Sequence, residues 1–407
     1  MRFAFATFML AVCAAPVAAD TERSAALSSD AVGPATSLAE RGPAEPSSPD
    51  RALRSALGAW RALHDRAVHG DAAALDEADA AKRSIADAFA KADPKNSEEA
   101  WNWRMSAAEF LLLGGDARSV RRLLSATETP SGSAPPGADR LYAGALAYGE
   151  RRWDAAAELL SALDPRAQNP RIGGALAMVQ AIIAAERAPA EAQRRLDDAR
   201  LLAPGSFVEE AALRRALLSP GDLRPGGAHE AAAQAYARRF PRSAHAAMFF
   251  ARAAQLAART APGDAISALR RISASQSEPA RRSLMLEAAR EALAIGATQT
   301  ALETAREAAA PSTPPHELAR ARLYEAAALV ASEAHREGAR LLGEVRRELL
   351  APPDQNLYDS AATLGAAMAS PPQSFPPADS PPTPADPPET ALRTLAEANA
   401  LLTRRGR

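Results

Sequence analysis

The sequence holds one cysteine, Cys13, and it lies inside the apolar run that opens the chain. Removal of that run leaves no thiol. A disulfide, a zinc–thiolate site and a cysteine nucleophile are then all excluded, whatever the redox compartment. Lysine is nearly missing as well: it occurs only as Lys82, Lys91 and Lys95, and every other base is arginine. There is no basic surplus, since 48 Lys+Arg stand against 49 Asp+Glu for a formal net charge of -1. Phosphate recognition normally draws on such a surplus, so nucleic acid is not expected as the main partner. No alternating β-branched run is present, which argues against strands. After the first residues no apolar run approaches membrane length, so no membrane insertion is expected of the mature chain.

What is present begins with an address. Met1-Arg2 is positive, Phe3 to Ala15 is apolar and uncharged, and Pro16-Val17-Ala18-Ala19 puts small residues before Asp20. That order predicts a signal peptide over 1–19 and export. The run is too short for a span, which needs about 20 apolar residues. Leu10-Ala11-Val12-Cys13 has a valine where a lipoprotein cleavage box wants Gly, Ala or Ser, so lipidation is the lesser reading. Residues 20–49, rich in Ser, Pro, Ala and Gly, offer little to bury and are expected to be a disordered spacer.

From Pro49-Asp50 onward a helical period recurs, broken every fifteen to twenty residues by Pro or Gly, as at Asp164-Pro165, Pro189, Pro220-Gly221, Pro262-Gly263 and Gly296. The expectation is an all-α helical-repeat domain over 50–370, with helical hairpins stacked as a solenoid. Asn96 and Glu99 resemble a capping box ahead of a helix whose face carries Trp103, Ala107, Phe110 and Leu111, with Gly114-Gly115 as its stop. Trp101 and Trp103, at helical spacing, read as core more readily than as a ligand platform. LYAGALAYGERRWDAAAELLSALDP (141–165) resembles a tetratricopeptide repeat: Gly144 stands at a close crossing, Trp153 at the large-aromatic position, Ala156 at the small one. The terminal Asp164-Pro165 comes early, and regular neighbouring copies are not evident.

Residues 371–388, PPQSFPPADSPPTPADPP, predict an extended spacer of about 55 Å at ~3.1 Å per residue. Residues 389–407 return to a helical pattern, with Leu392, Leu395, Asn399 and Leu402 at a/d spacing. They read equally as a tethered docking helix or as a loose tail.

A search for reaction chemistry returns nothing to assign as a catalytic, cofactor or metal site, and the chain is read as no enzyme. His64 and His69 are five apart, off the i, i+4 spacing of paired ligands, and are expected on a helix surface or at its end. The other histidines, at 229, 245, 316 and 335, are scattered. Gly173-Gly174 sits in an apolar run and reads as helix packing rather than a phosphate loop. Asp197-Asp198 follow Arg194-Arg195 at salt-bridge spacing on a helix face. Soluble lytic transglycosylases also begin with exported helical solenoids, but they end in a lysozyme-like domain with a catalytic Glu followed by Ser. No Glu-Ser pair occurs here, and the chain passes from Ala369 into the proline-rich segment.

The most informative stretch is 191–254, where several short Ala- and Leu-rich helices are each closed by Pro or Gly. Ala203-Pro204-Gly205 ends one, Ser206 reads as the N-cap of the next, and Glu209-Glu210 then Arg214-Arg215 complement its dipole. ARLLAPGSFVEEAALRR (199–215) followed by AYARRFPRSAHAAMFFARAA (235–254) is similar to the MotC chemotaxis and motility family of alphaproteobacteria. The resemblance implies a periplasmic component of the flagellar motor that binds the periplasmic part of the stator subunit MotB, with a dedicated chaperone, MotE. It brings no catalytic residues and no cofactor. A generic periplasmic scaffold for envelope assembly is the alternative, because a solenoid surface serves any partner. The partner-binding residues are not legible. Arg214-Arg215, Arg238-Arg239 and Arg242 either face a partner or simply solubilise helix ends.

The leader predicts cleavage after Ala19, giving a mature chain that starts at Asp20. Mass spectrometry of the periplasmic fraction checks this, and a lipid-modified Cys13 at the new N-terminus would contradict it.

Overall fold

The computed structural model describes residues 49–91, 100–124 and 137–369. The expected signal peptide, the spacer up to residue 48, the Asn96–Glu99 cap, the proline-rich linker and the C-terminal segment lie outside the described residues. Among the described residues there are helices and no strands. In chain order these are α1 (Pro49–Val68), α2 (Ala74–Lys91), α3 (Ala100–Leu112), α4 (Ala117–Leu124), α5 (Ala138–Gly149) and α6 (Trp153–Leu160). Then come α7 (Pro170–Ala184), α8 (Pro189–Leu202), α9 (Phe207–Ala216), α10 (Ala228–Arg239), α11 (Ala246–Ala258) and α12 (Pro262–Ser273). The last are α13 (Glu278–Ala294), α14 (Thr298–Ala308), α15 (Pro315–Val330), α16 (His335–Gly343) and α17 (Pro352–Ala369).

The breaks follow from local backbone chemistry. Pro170, Pro189, Pro262, Pro315 and Pro352 each occupy the first position of a helix, where a missing N–H costs nothing and the fixed φ is already helical. The stop after α8 is Gly205, at φ 76°, a conformation that other residues adopt only with strain. The all-α expectation holds, and most of the residues that punctuate it were visible in the sequence.

Consecutive helices pair as hairpins from α1/α2 through α15/α16, and helices two apart then stack, as in α11–α13–α15–α17 and α10–α12–α14. Alanine makes this possible, since a small side chain lets two helix axes come close. On α15 alone, Ala319, Ala321, Ala326, Ala327 and Ala328 are buried. Larger side chains fill the spaces between pairs: Trp60, Phe89 and Phe110 toward the N-terminal end, and Tyr236, Phe240 and Phe249 in the middle. Tyr236 and Phe249 stack with ring centres 3.6 Å apart. Trp103 is core, as its spacing suggests.

One arrangement goes beyond a simple stack: α3 touches α7, α7 touches α9, and α1 touches α9. The first four hairpins therefore curl until the chain's first helix meets its ninth. Sequence periodicity gives no sign of this, because the closing contact of α1 with α9 joins residues more than a hundred positions apart.

Glycines mark the tightest crossings. A Cβ on Gly144 would fall 2.4 Å from the Leu160 side chain, and one on Gly173 would fall 2.6 Å from the Pro165 carbonyl oxygen. These agree with the packing roles expected for both positions. Against backbone the tightest case is Gly338 of α16, where a Cβ would lie 2.4 Å from the backbone nitrogen of Val330. Gly58 of α1 is the opposite case, with nothing within 4 Å of its would-be Cβ.

Gly338→Ala is expected to cost about 1–3 kcal/mol or more, since backbone atoms must move. Gly58→Ala is expected to stabilise by about 0.5–1 kcal/mol through helix propensity. Urea unfolding of both variants checks the pair, and equal small effects would contradict the packing described.

Candidate functional site

The stretch from the end of α8 to α11 is held by carboxylates at helix starts. Ser206 caps α9, its Oγ accepting from the Val208 N–H at 3.2 Å. Glu209 and Glu210 follow, and both are buried. Glu209 accepts from the Gly205 N–H at 2.6 Å and pairs with Arg239, at the end of α10, at 2.9 Å. Glu210 accepts from the Tyr236 hydroxyl at 2.7 Å and the Ser243 hydroxyl at 3.3 Å, and pairs with Arg214 at 3.2 Å. Burial and the Glu210 charge together push the Tyr236 pKa well above its ordinary value. The pattern recurs one helix later: Glu230 accepts from the Gly226 N–H at 2.7 Å and pairs with Arg271 at the end of α12.

The same stretch receives the end of α1. Asp65 accepts from the Phe207 N–H at 2.8 Å, and the His69 Nε2–H donates to the Gly205 carbonyl at 2.9 Å. The Ala244 N–H donates to the Ala67 carbonyl at 3.1 Å. His64 lies between Trp60 and Phe207, with ring centres at 5.2 and 5.0 Å. His69 is at a helix end, as expected. His64 is not on the helix surface: the aromatic junction between α1 and α9 half-buries it.

A recess of about 240 Å³ opens beside this junction, with Arg54, Gly58, Arg61 and Asp65 of α1, Glu109 of α3 and Arg171 of α7 in its wall. Arg61 donates to Glu109 at 3.0 Å. Burial pushes the Glu109 carboxyl pKa up, while Arg61 and Arg171 pull it down. The wall holds charge of both signs and no nucleophile, so it is suited to receiving a charged group rather than to bond making. Among the described residues no group of three or more His, Cys, Asp or Glu is arranged to hold a metal ion. None of their helices is long and apolar enough to cross a membrane.

The family model described as Chemotaxis protein MotC matches residues 1–403. The chain belongs to the MotC family. Chemotaxis protein MotC of Rhizobium meliloti (strain 1021) is 31% identical over 229 residues, covering 55% of this chain and 52% of that relative. The chain thus spans about half the length of the curated relative it matches. No solved structure matches it.

In this MotC-family chain the arginines of the 199–254 stretch divide. Arg214 and Arg239 are spent on the buried glutamates. Arg215 is half-buried, and burial lowers its pKa. Arg238 and Arg242 are exposed. Neither reading of these arginines anticipated the inter-helix pair of Arg239 with Glu209, whose members are far apart in sequence. Asp198 pairs with Arg195 at 3.5 Å as its spacing suggests, but its shorter contact is Arg166 at 2.7 Å from the turn before α7. Arg194 pairs with Glu191 instead. Leu201, Leu218 and Met248, three of the exposed large apolar side chains, all lie in this stretch.

The junction is sensitive to acid. Burial lowers the pKa of His64 and of His245 from the ordinary 6.5, with Arg214 adding to the effect at His245. A histidine lowered in the folded state binds more protons when unfolded. Its stability contribution is therefore present above 6.5 and lost as pH falls from 6.5 through the lower folded value. The melting midpoint is expected to drop over that window, and to drop less in a His64→Phe, His245→Asn double variant. An acid response identical in wild type and variant would contradict this.

Proposed function

We propose that this chain is a periplasmic binding component of the flagellar motor and carries out no reaction of its own. It holds the periplasmic part of the stator subunit MotB and so supports rotation, with MotE as its chaperone in the periplasm. The observation that carries this reading is the family match over residues 1–403. The helical array supports it, since stacked hairpins present extended surface and rigid crossings rather than a reaction cleft. The exporting leader supports the compartment.

The stretch that bears the family resemblance also offers partner chemistry. Leu201, Leu218 and Met248 are exposed there, and so are Arg238 and Arg242. Exposed methionine and arginine are common material of a protein interface.

Deletion of the gene is expected to leave assembled flagella that rotate poorly or not at all, because a stator-binding protein acts after filament assembly. Wild-type complementation restores swimming. A Leu201→Asp, Met248→Asp double variant, altered only at exposed positions, is expected to be exported and folded yet to restore it poorly. Normal swimming of the deletion strain would overturn the motor assignment and leave a general envelope scaffold.

A further inference from the structure

Pair by pair, each helix from α1 to α16 has a hairpin partner. The last described helix, α17, has none. It packs inward on α15 and α16, with Ala361 and Gly365 buried, and its outer side is open. The difference from α15, which holds the same place one pair earlier, is large. Nine of the 16 residues of α15 are buried, against Asp354, Ala361 and Gly365 among the 18 of α17. On the flank of that buried stripe Leu364 is 44% exposed and Met368 50%. Leu357 lies two turns earlier on the same stripe and is half-buried. An apolar stripe at the end of a repeat array needs a cap, because terminal repeats otherwise leave their hydrophobic face in water.

We propose that residues 389–405 of the same chain form that cap, docking as a helix on the exposed apolar flank of α17 and completing a ninth hairpin. The segment's own pattern fits the face: Leu392, Leu395 and Leu402 fall on one side of a helix, with Ala396 and Asn399 between them. Geometry permits the return. Residues 370–388 follow α17 directly, and an extended proline-rich spacer of that length reaches about 59 Å at ~3.1 Å per residue. The face to be covered is about 27 Å long at ~1.5 Å per residue, so either end of α17 is within reach. Tethering raises the local concentration of the segment to about the millimolar range, which favours it over a second copy. The segment is part of the family pattern too, since the match runs to residue 403. The array folds without this cap, because its core lies between α1 and α17, but the cap hides the only apolar stripe on the described C-terminal helix.

Hydrogen exchange on the purified full chain, read by mass spectrometry, tests this against a synthetic peptide of residues 389–405. The amides of 389–403 are expected to exchange about tenfold or more slowly in the chain than in the peptide, and this protection should persist on dilution. Leu364→Asp, Met368→Asp should abolish it while the amides of α15 stay protected. Leu395→Asp, which lies outside the array and leaves its folding untouched, should abolish it as well. Exchange at the peptide's rate in the wild-type chain would overturn the proposal. So would protection that vanishes on dilution, which would give the face to a second copy, or protection that survives Leu395→Asp.

Discussion

Four carboxylates in the first turns of their helices, Glu209, Glu210, Glu230 and Asp354, are buried in this array, and each is answered from another helix. Glu209 is met by Arg239, Glu210 by Tyr236, Glu230 by Arg271, and Asp354 by Tyr324 and Arg320, while Arg282 meets the half-buried Glu317 in the same way. A carboxylate in the first turn complements the helix dipole. Burying it is another matter, because an ion taken out of water costs several kcal/mol unless a partner and hydrogen bonds compensate. Glu209 and Glu230 meet that requirement alike: each accepts from a glycine N–H four residues earlier and pairs with an arginine at the end of a later helix. The crossing of two helices is thereby fixed in register as well as in distance. Removing the arginine would leave the glutamate charge buried without its counter-ion.

This constraint explains a feature of the composition. Arginine presents a planar, weakly hydrated fork that satisfies a buried carboxylate from a half-exposed position, which the compact lysine ammonium does less well. The chain uses arginine nearly throughout, and arginine is the base at each of these crossings. The crossings show what the abundance is used for. They also tie together the 199–254 stretch, where α9 and the turn between α10 and α11 meet the end of α1 and Leu201 and Met248 are exposed.

Sequence legibility follows the range of the interaction. Pro189, Pro262, Gly205 and Ser206 act on their own backbone, so the helix boundaries they set could be read directly. Trp103 and Gly144 were legible because helical period places them on inward faces. The partners of Glu210 and Glu230 lie 26 and 41 residues away, and no local rule marks them. His64 was misplaced on a surface because Phe207, which covers it, belongs to a helix that reaches it only when the first hairpins curl. The recess between α1, α3 and α7 was invisible for the same reason. Its one local sign is Gly58, a mid-helix glycine that no packing contact explains.

On the function we propose, the array is a surface that holds a partner. Direct binding between the purified mature chain and the purified periplasmic part of MotB, measured by isothermal titration calorimetry, tests that account most directly. It predicts a single saturable complex, with an affinity that falls with added salt if Arg238 and Arg242 take part. No heat of binding from a folded chain, at concentrations where both proteins are monodisperse, would contradict it.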